Sequence, residues 1–501
     1  MPKPTAIIIG AGFGGLGSAC ILGKAGYKVT VLEKNEQIGG RAGVFEAKGF
    51  KFDAGPSWYL MPDIFQHFFD LMGEKIEDHL KLKKLSPSYR IFYKDSHKHV
   101  DIYSDLKKDL PTIRKIEPGA DEALKRYLDI AGKQYEIAKA GFLYKNYNSF
   151  RDFLTWEVAT KGRKLNALSN MDKYVRKYFK TDEMYKIIQY PSVFLGSSPY
   201  NTPALYSMMN HIDFNMGVYY PAGGINEIVK SLERIAKKYD VVFKNNTGVK
   251  KIIVKNGKAI GVKLENGKEI LADKIISNAN VWHTETKLLT QQHRTKSDKY
   301  WDSRVLAPSA VIVYLGVKGK YPGLKHHNLI FSQNWKKNFG QIFDNPTWPT
   351  DPSMYVCAPS KTDSTVAPSG HENMFVLVPI APGLKYNEKQ LKDYVDKILE
   401  TMEDTMKLKD FRKNIVYRRH FSVKDFADRY NSHSGTALGM AHILRQSAIF
   451  RPNNVSKKVS NLYYVGADVN PGIGMPTTLI SAELMYKRII GDKTSGPLQK
   501  I

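Results

Sequence analysis

The chain has 501 residues, of which 42% are hydrophobic and 25% are charged, and this composition is typical of a globular protein rather than a disordered or fibrous one. Its 75 basic and 49 acidic residues give a net charge of +26, which bears on partners and not on fold. Two cysteines, Cys20 and Cys357, exclude a disulfide framework and a four-thiolate metal site.

The amino terminus has the pattern of a strand, a glycine-rich turn and a helix. Residues 5–23 are uncharged, but their six glycines are typical of neither a membrane span nor a signal peptide. Residues 6–9 predict a buried strand, residues 10–15 match G-x-G-x-x-G, and residues 28–33 predict a second strand that ends in an acid. The intervening helix, predicted to end near residue 25, directs its N-terminus at phosphates, so the segment predicts a dinucleotide site.

Each residue type in this segment has a separate predicted role. Gly10 allows a tight turn, Gly12 lets a pyrophosphate approach the backbone, and Gly15 lets the helix pack close to the strand. Glu33 is placed to accept hydrogen bonds from both hydroxyls of a ribose, and an acid at this position argues against NADP. The cofactor-binding residues predicted from this segment are Gly10, Gly12, Phe13, Gly14, Gly15, Glu33 and Lys34.

The next turn indicates which dinucleotide binds. Gly39-Gly40-Arg41 follows the second strand, and residues 52–56 follow a short hairpin. The spacing from Glu33 to Arg41 resembles the second fingerprint of the FAD-dependent amine oxidase superfamily, in which the arginine lies close to the flavin phosphates. The resemblance therefore implies FAD as the cofactor.

The middle of the chain predicts further helices and strands. Residues 60–73 predict an amphipathic helix, residues 81–217 mix short strands with helices, and another helix ends near residue 238. Four strands between residues 241 and 277 predict a β-meander, because two of their turns are Asn-Gly pairs. Residues 307–453 predict a second sheet with helices.

The carboxyl terminus predicts a second half of the cofactor site. Residues 462–465 predict a strand, and Gly466-Ala467-Asp468 follows it. A helix is predicted from about residue 475 to residue 490, and Pro476 suits its first turn. A helix that starts here directs the positive end of its dipole at the cofactor.

Together these elements predict an α/β fold (α+β overall), with a Rossmann-like FAD domain of the amine oxidase type and an interleaved substrate domain of sheet and helices. The FAD-binding domain is predicted to comprise residues 1–85, 218–285 and 455–501. The substrate and membrane-facing domain is predicted to comprise residues 86–217 and 286–454. No repeat or low-complexity linker separates the two, which favours interleaved domains over domains in series.

Motifs along nearly the whole chain resemble the bacterial and fungal type of phytoene desaturase family. The most specific block spans residues 446–476, and shorter ones occur at 53–57, 149–152, 221–224 and 277–279. The resemblance implies FAD-dependent introduction of C=C bonds into a lipid-soluble polyene, by hydride transfer to flavin, on a membrane surface and without NAD. It also implies further cofactor-binding residues: Gly40, Arg41, Gly55, Pro56, Ser57, Val249, Asn278, Gly466, Asp468, Gly474, Met475 and Thr477.

The same resemblance makes Arg151, in the Ser-Phe-Arg-Asp segment, a candidate catalytic residue together with Asp152, although Arg151 could instead form a fold-stabilising ion pair. Asn470 and Thr477 depart from the common family pattern at positions that face the flavin and the substrate. The departures leave open whether phytoene, apo-phytoene or a 1-hydroxycarotenoid, in the manner of a 3,4-desaturase, is the substrate. A flavin amine oxidase and a non-enzymatic prenyl-binding chaperone of the same fold are the alternative functions.

Metal binding is not expected, because the adjacent His326 and His327 have no other ligand motif and are predicted to lie at the surface. Nucleic acid is not an expected partner either, since no nucleic-acid motif accompanies the basic residues. The charge predicts docking at an anionic membrane, with residues 142–144 as insertion points, and a merely solvated basic surface is the alternative. The protein is expected in the cytoplasm, peripherally bound to the inner face of the cell membrane. The sequence leaves the oligomeric state open.

Overall fold

The computed structural model describes residues 2–94, 96, 98–147 and 169–501. Its strands are β1 Thr5–Ile9, β2 Lys28–Leu32, β3 Val44–Ala47, β4 Phe50–Asp53, β5 Leu82–Lys84, β6 Tyr89–Tyr93, β7 His99–Ile102, β8 Tyr219–Pro221, β9 Val242–Lys244, β10 Val249–Lys255, β11 Lys258–Leu264, β12 Glu269–Leu271, β13 Lys274–Ser277, β14 Ser309–Lys318, β15 His327–Phe331, β16 Met354–Cys357, β17 His371–Ile380, β18 Ile415–Phe421 and β19 Leu462–Tyr464. Its α-helices are α1 Phe13–Lys24, α2 Pro62–Met72, α3 Leu106–Ile116, α4 Ala120–Ala138, α5 Met171–Val175, α6 Asp182–Gln189, α7 Met208–His211, α8 Asn226–Lys237, α9 Val281–His283, α10 Asp298–Asp302, α11 Trp335–Phe343, α12 Glu388–Met406, α13 Val423–Tyr430 and α14 Met475–Ile490.

The first large sheet is parallel and has five strands in the order β19-β13-β1-β2-β9. Ile7 and Ile8 of β1 point to opposite faces and are both buried, as a strand covered on both sides requires. Helix α1 packs against α14 and α8, so all of its residues except Lys24 are buried. The strands and helices predicted at the two ends of the chain are therefore confirmed, with boundaries shifted by one or two residues.

The predicted β-meander is wrong in its outer strands. Only β10, β11 and β12 form an antiparallel sheet of their own, whereas β9 pairs with β2 and β13 pairs with β1. The sequence predicts the fourth strand of the meander at residues 269–277, but in the structure this segment is divided into β12 and β13. Between them, the carboxylate of Asp273 accepts hydrogen bonds from the backbone N–H and hydroxyl of Thr5. Beyond it, Ile275 and Ile276 are buried between β1 and β19. Burial on both faces selects the parallel sheet for these residues.

The second sheet has seven strands in the order β18-β14-β17-β16-β15-β6-β7. Its pairs are antiparallel except for β15 with β6, and β6 and β7 join it from outside the predicted range 307–453. Ala310 and Ile312 of β14 pack in one core cluster, while Val311 and Val313 pack in another. The period of two explains why this apolar run forms a buried strand.

The helices contribute a layer over the second sheet. Helices α3 to α6 bury tyrosine and aliphatic side chains against β6 and β15. In the described part of the chain, no helix combines the length and the apolar character needed to span a bilayer.

Candidate cofactor and substrate cavity

One cavity of about 1200 Å³ lies where the ends of the first sheet meet the second sheet. The predicted cofactor-binding residues line this cavity, with the exception of Gly15. They come from both ends and from the middle of the chain. The structure thus brings together residues that are more than 460 positions apart (Gly10 and Thr477 differ by 467). Their role in binding the cofactor stays a prediction.

The glycine-rich turn has the geometry that its predicted roles require. Gly10 has a φ of +91°, which favours glycine. A Cβ atom on Gly15 would lie 2.1 Å from the carbonyl oxygen of Gly10, so the strand and the helix approach too closely for a side chain. Gly12, at the N-cap of α1, leaves the first turn without a side-chain cap, and the N–H groups there suit a pyrophosphate.

Glu33 is held rigidly at the end of β2. Its Oε2 accepts a hydrogen bond from the backbone N–H of Ala11 at 2.8 Å, and its Oε1 accepts from the backbone N–H of Asn35 at 2.9 Å. These bonds connect the acid to the glycine-rich turn and fix the carboxylate. Oε1 also accepts from Nδ2 of Asn35 at 2.9 Å, whereas Oε2 has, within the described residues, the single bond from Ala11, so Oε2 retains an acceptor position for a ribose hydroxyl.

Arg41 is the strongest anion-binding candidate in the cavity. Its Nη2 donates to the hydroxyl oxygen of Ser432 at 2.7 Å, and its guanidinium lies over the ring of Tyr430 at 5.4 Å. Its Nε is buried without a hydrogen-bond partner in the described residues, and burial lowers the pKa of Arg41. A buried guanidinium with an unused donor fits a phosphate.

Lys34 has a different role from Arg41 because its ammonium is already bonded. It donates to the backbone carbonyl of Asp428 at 2.6 Å and to Oδ1 of Asn431 at 3.0 Å. Burial lowers the pKa of Lys34. The side chain therefore ties the end of β2 to the end of α13, and it lines the cavity through its stem.

The loop before α14 completes the cofactor side of the cavity. Helix α14 begins after Gly474 without a side-chain cap, and Thr477 donates its hydroxyl to the carbonyl of Gly474 at 2.8 Å. Asp468 accepts from Nδ2 of Asn280 at 2.7 Å and from the N–H of Met440 at 2.9 Å. Asp468 thus holds the loop in place, and the uncapped first turn of α14 lines the cavity through Met475 and Thr477.

These residues fit FAD. The close-packed glycines, the fixed acid, the buried guanidinium and two uncapped helix N-termini supply the contacts that a dinucleotide pyrophosphate and ribose need. Residues 12–14, Glu33 and Arg41 would hold the adenosine and phosphates, and the first turn of α14 would face the isoalloxazine ring. When bound, FAD supplies the two-electron acceptor that the protein's own side chains do not offer.

The rest of the cavity is apolar. Phe331, Phe339 and Ile342 line it on the side of the second sheet and α11. Leu444 and Phe450 also line it, in two short 3-10 turns, Leu444–Gln446 and Ala448–Phe450, and are 48% and 51% exposed. A long apolar molecule can therefore extend from an exposed rim to a buried end.

A hydrogen-bonded chain that the sequence did not indicate stands beside α14. Nε2 of His442 accepts from the N–H of Ile473 at 3.0 Å, so Nδ1 carries the proton and donates to the hydroxyl of Tyr206 at 2.7 Å. The Tyr206 hydroxyl in turn donates to Ser447 at 3.1 Å. Burial, with Arg451 nearby, lowers the pKa of His442 well below its usual range. His442 is thus a neutral group that positions the loop.

Two further sequence predictions concern the histidine pair and the candidate catalytic pair. His326 and His327 are buried, not at the surface: Nδ1 of each is hydrogen-bonded, to Thr362 at 2.8 Å and to Tyr355 at 2.7 Å. Together with Cys357 they place three potential metal-ligand atoms within 4.8 Å of one another, and the expected absence of a metal stays a prediction. Arg151 and Asp152, the candidate catalytic pair, lie outside the described residues.

The chain matches the family described as flavin containing amine oxidoreductase over residues 13–488. Because that match covers nearly all of the chain, the protein belongs to this family of flavin-dependent oxidoreductases. It is 43% identical over 486 residues to a carotenoid 3,4-desaturase of Haloarcula japonica, covering 97% of this chain and 98% of that protein. It is 32% identical over 494 residues to a zeta-carotene-forming phytoene desaturase of Myxococcus xanthus, covering 97% of this chain and 93% of that protein.

Solved structures agree on the fold. A triple mutant of putrescine oxidase superposes with a TM-score of 0.63 and covers 98% of both chains at 13% identity, which shows the fold alone. The predicted amine oxidase fold, FAD as cofactor and the relation to carotenoid desaturases are thereby confirmed.

Proposed function

We propose that this protein introduces the 3,4 double bond into a carotenoid at a membrane surface. The observation that carries the proposal is the 43% identity to a carotenoid 3,4-desaturase over nearly the full length of both chains. The cavity supports it, because a single space joins the predicted cofactor residues to a long apolar lining. A carotenoid is an apolar chain of that kind, and amines would need a polar site.

The chain's own residues bind and orient the substrate and exclude water. Desaturation removes two hydrogens from adjacent carbons, so the substrate needs a hydrogen acceptor beside it and no activated nucleophile. His442 and Asp468 are each committed to hydrogen bonds with the protein. We therefore assign both to holding the loop before α14 in place, and the neutral imidazole of His442 keeps a positive charge away from the polyene.

Turnover by the purified protein tests this function. The FAD-loaded enzyme is incubated in liposomes with phytoene, lycopene and a 1-hydroxycarotenoid, and the absorption spectrum of each product counts the double bonds gained. We expect one added double bond at the 3,4 position. An enzyme that oxidises putrescine but no carotenoid would instead be an amine oxidase, and a protein that takes up no FAD would fit a prenyl-binding chaperone.

We also propose that the exposed rim faces the membrane, on the cytoplasmic side. Leu444 and Phe450 are large exposed apolar residues at the opening of the cavity, and a polyene that leaves lipid there avoids water. The net charge of +26 adds attraction to an anionic leaflet, at about 1 kcal/mol for each basic residue near the surface. The sequence predicts residues 142–144 as insertion points, and this prediction is wrong for Tyr144, because its side chain is buried against the ring of His67.

Liposome flotation tests the rim. Leu444→Ser with Phe450→Ser removes apolar surface that inserts into lipid, so we expect binding to anionic liposomes to fall at least tenfold. Leu271→Ser is the matched control, because Leu271 is 67% exposed on β12 and does not line the cavity. Equal flotation of both variants, or binding that ignores salt and lipid charge, would contradict membrane docking by this rim.

A further inference from the structure

Two polar side chains in the buried end of the cavity have no partner for part of their hydrogen-bonding capacity. Trp335 and Asn338 lie on α11, line the cavity, and are 7% and 4% exposed. The indole Nε1 of Trp335 and the amide Oδ1 of Asn338 are buried without a hydrogen-bond partner in the described residues. Three positions apart on a helix, the two side chains lie on the same face.

A structural role does not explain these two groups. Asn334, one turn earlier, caps α11 by accepting a hydrogen bond from the N–H of Lys337 at 2.9 Å, and that accounts for its polarity. Asn338 has no such bond. Its neighbours in the cavity, Phe339 and Ile342, are apolar, so leucine or phenylalanine would serve the wall better. The missing partner is therefore a group on the molecule that occupies the cavity.

The chemistry of the two side chains selects the group. An indole N–H only donates, whereas an amide both donates and accepts. A hydroxyl matches this set, because its oxygen accepts from the donors while its hydrogen bonds to the amide oxygen. A carbonyl could only accept, and a hydrocarbon end would satisfy neither side chain. The other residues of β15 and α11 that line the cavity, Leu329, Phe331, Phe339 and Ile342, are uncharged, which favours a neutral group.

We propose that Trp335 and Asn338 form a polar subsite that binds a hydroxyl group near one end of the carotenoid. The proposal rests on the proposed function and deepens it, since it selects a hydroxylated carotenoid from the substrates that the sequence leaves open. The 3,4 bond lies close to the end of a carotenoid chain. Anchoring that end sets which carbon–carbon bond comes to rest beside α14.

Matched substrates test the subsite. An acyclic carotenoid with a terminal hydroxyl is compared with the same chain without it, and kcat/KM is measured for both. We expect the wild type to prefer the hydroxylated chain at least tenfold, because a polar site left unpaired rejects an analogue that lacks the group. Asn338→Leu keeps the volume and removes the amide, so we expect the preference to fall about tenfold.

Two further variants keep the test sharp. Trp335→Phe removes the indole N–H and keeps a ring, and we expect it to reduce the preference by a smaller factor. Ile342→Val is the matched control: it changes the same wall without changing polarity, so both substrates should respond equally. FAD content confirms that each variant is folded. If Asn338→Leu does not fold, Trp335→Phe still tests the subsite.

Binding measured without turnover separates this inference from the proposed function. The absorption band of the polyene reports binding of each chain to the FAD-loaded protein. Stronger binding of the hydroxylated chain that Asn338→Leu abolishes would support the subsite even if neither chain were desaturated, which would remove only the 3,4-desaturase function. Equal binding and equal kcat/KM for the two chains in the wild type would overturn the subsite and leave the function standing.

Discussion

Replacing Gly15 by alanine tests the packing on which the cofactor site depends. The added Cβ would lie 2.1 Å from the carbonyl oxygen of Gly10, and an ordinary contact begins at 3.4 Å. The helix and the strand must therefore separate by roughly 1.3 Å at this point, and overpacking of this kind costs about 1–3 kcal/mol. The shift displaces the first turn of α1, whose N–H groups are aimed at the phosphates.

We expect Gly15→Ala to raise the Kd for FAD between about fivefold and 150-fold, the equivalent of that free energy. Titration of the apoprotein with FAD, followed by flavin fluorescence, gives the Kd directly. Gly323→Ala is the control, because a Cβ there meets nothing within 4 Å. If Gly15→Ala binds FAD as tightly as the wild type, then the close approach of β1 and α1 does not shape the cofactor site.

The remaining predictions concern charge. Arg41→Met should weaken FAD binding tenfold or more, since a charge-assisted hydrogen bond contributes about 1.5–3 kcal/mol. Lys34→Met should weaken FAD binding less, because the ammonium of Lys34 is already bonded to the protein. Similar Kd values for the two variants in the same titration would disprove the assignment of Arg41. Burial raises the pKa of Asp213 to about 7, above its unfolded value, so native stability should fall as the pH rises from about 4 to 7. Asp213→Asn should flatten that part of the curve in thermal unfolding, and an unchanged slope would show that Asp213 titrates normally.

Local pattern was enough to predict the ends of the chain. The turn at Gly10 and the following helix depend on neighbouring residues, and the pattern of residues 307–453 predicted a second sheet with helices. Which sheet residues 274–277 join depends instead on their pairing with β1, more than 260 positions away. The short apolar segment of β13 fits the interior of a parallel sheet as well as a meander, so the sequence could not separate the two.

The histidine pair shows a second limit. Two adjacent polar residues predict exposure, yet the ring of Trp58 stacks on His327 at 4.1 Å, and Tyr355 and Thr362 supply hydrogen bonds to the pair. Those partners lie 28 to 36 residues further along the chain. The sequence did not indicate Trp335 and Asn338, because the pattern of α11 is that of an ordinary amphipathic helix. Only their buried polar atoms without hydrogen-bond partners in the described residues distinguish them.

The order of strands in the first sheet has a consequence for synthesis. β13 is hydrogen-bonded to β1 on one side and to β19 on the other, and α1 packs against α14. The sheet therefore lacks its strand β19 until residues 462–464 have been made, and α1 lacks α14, one of the helices that pack against it, until residues 475–490 follow. Formation of so many long-range contacts is slow. A chain truncated before residue 462 would lack both the strand β19 and the part of the cavity wall that α14 supplies, so we expect it not to hold FAD.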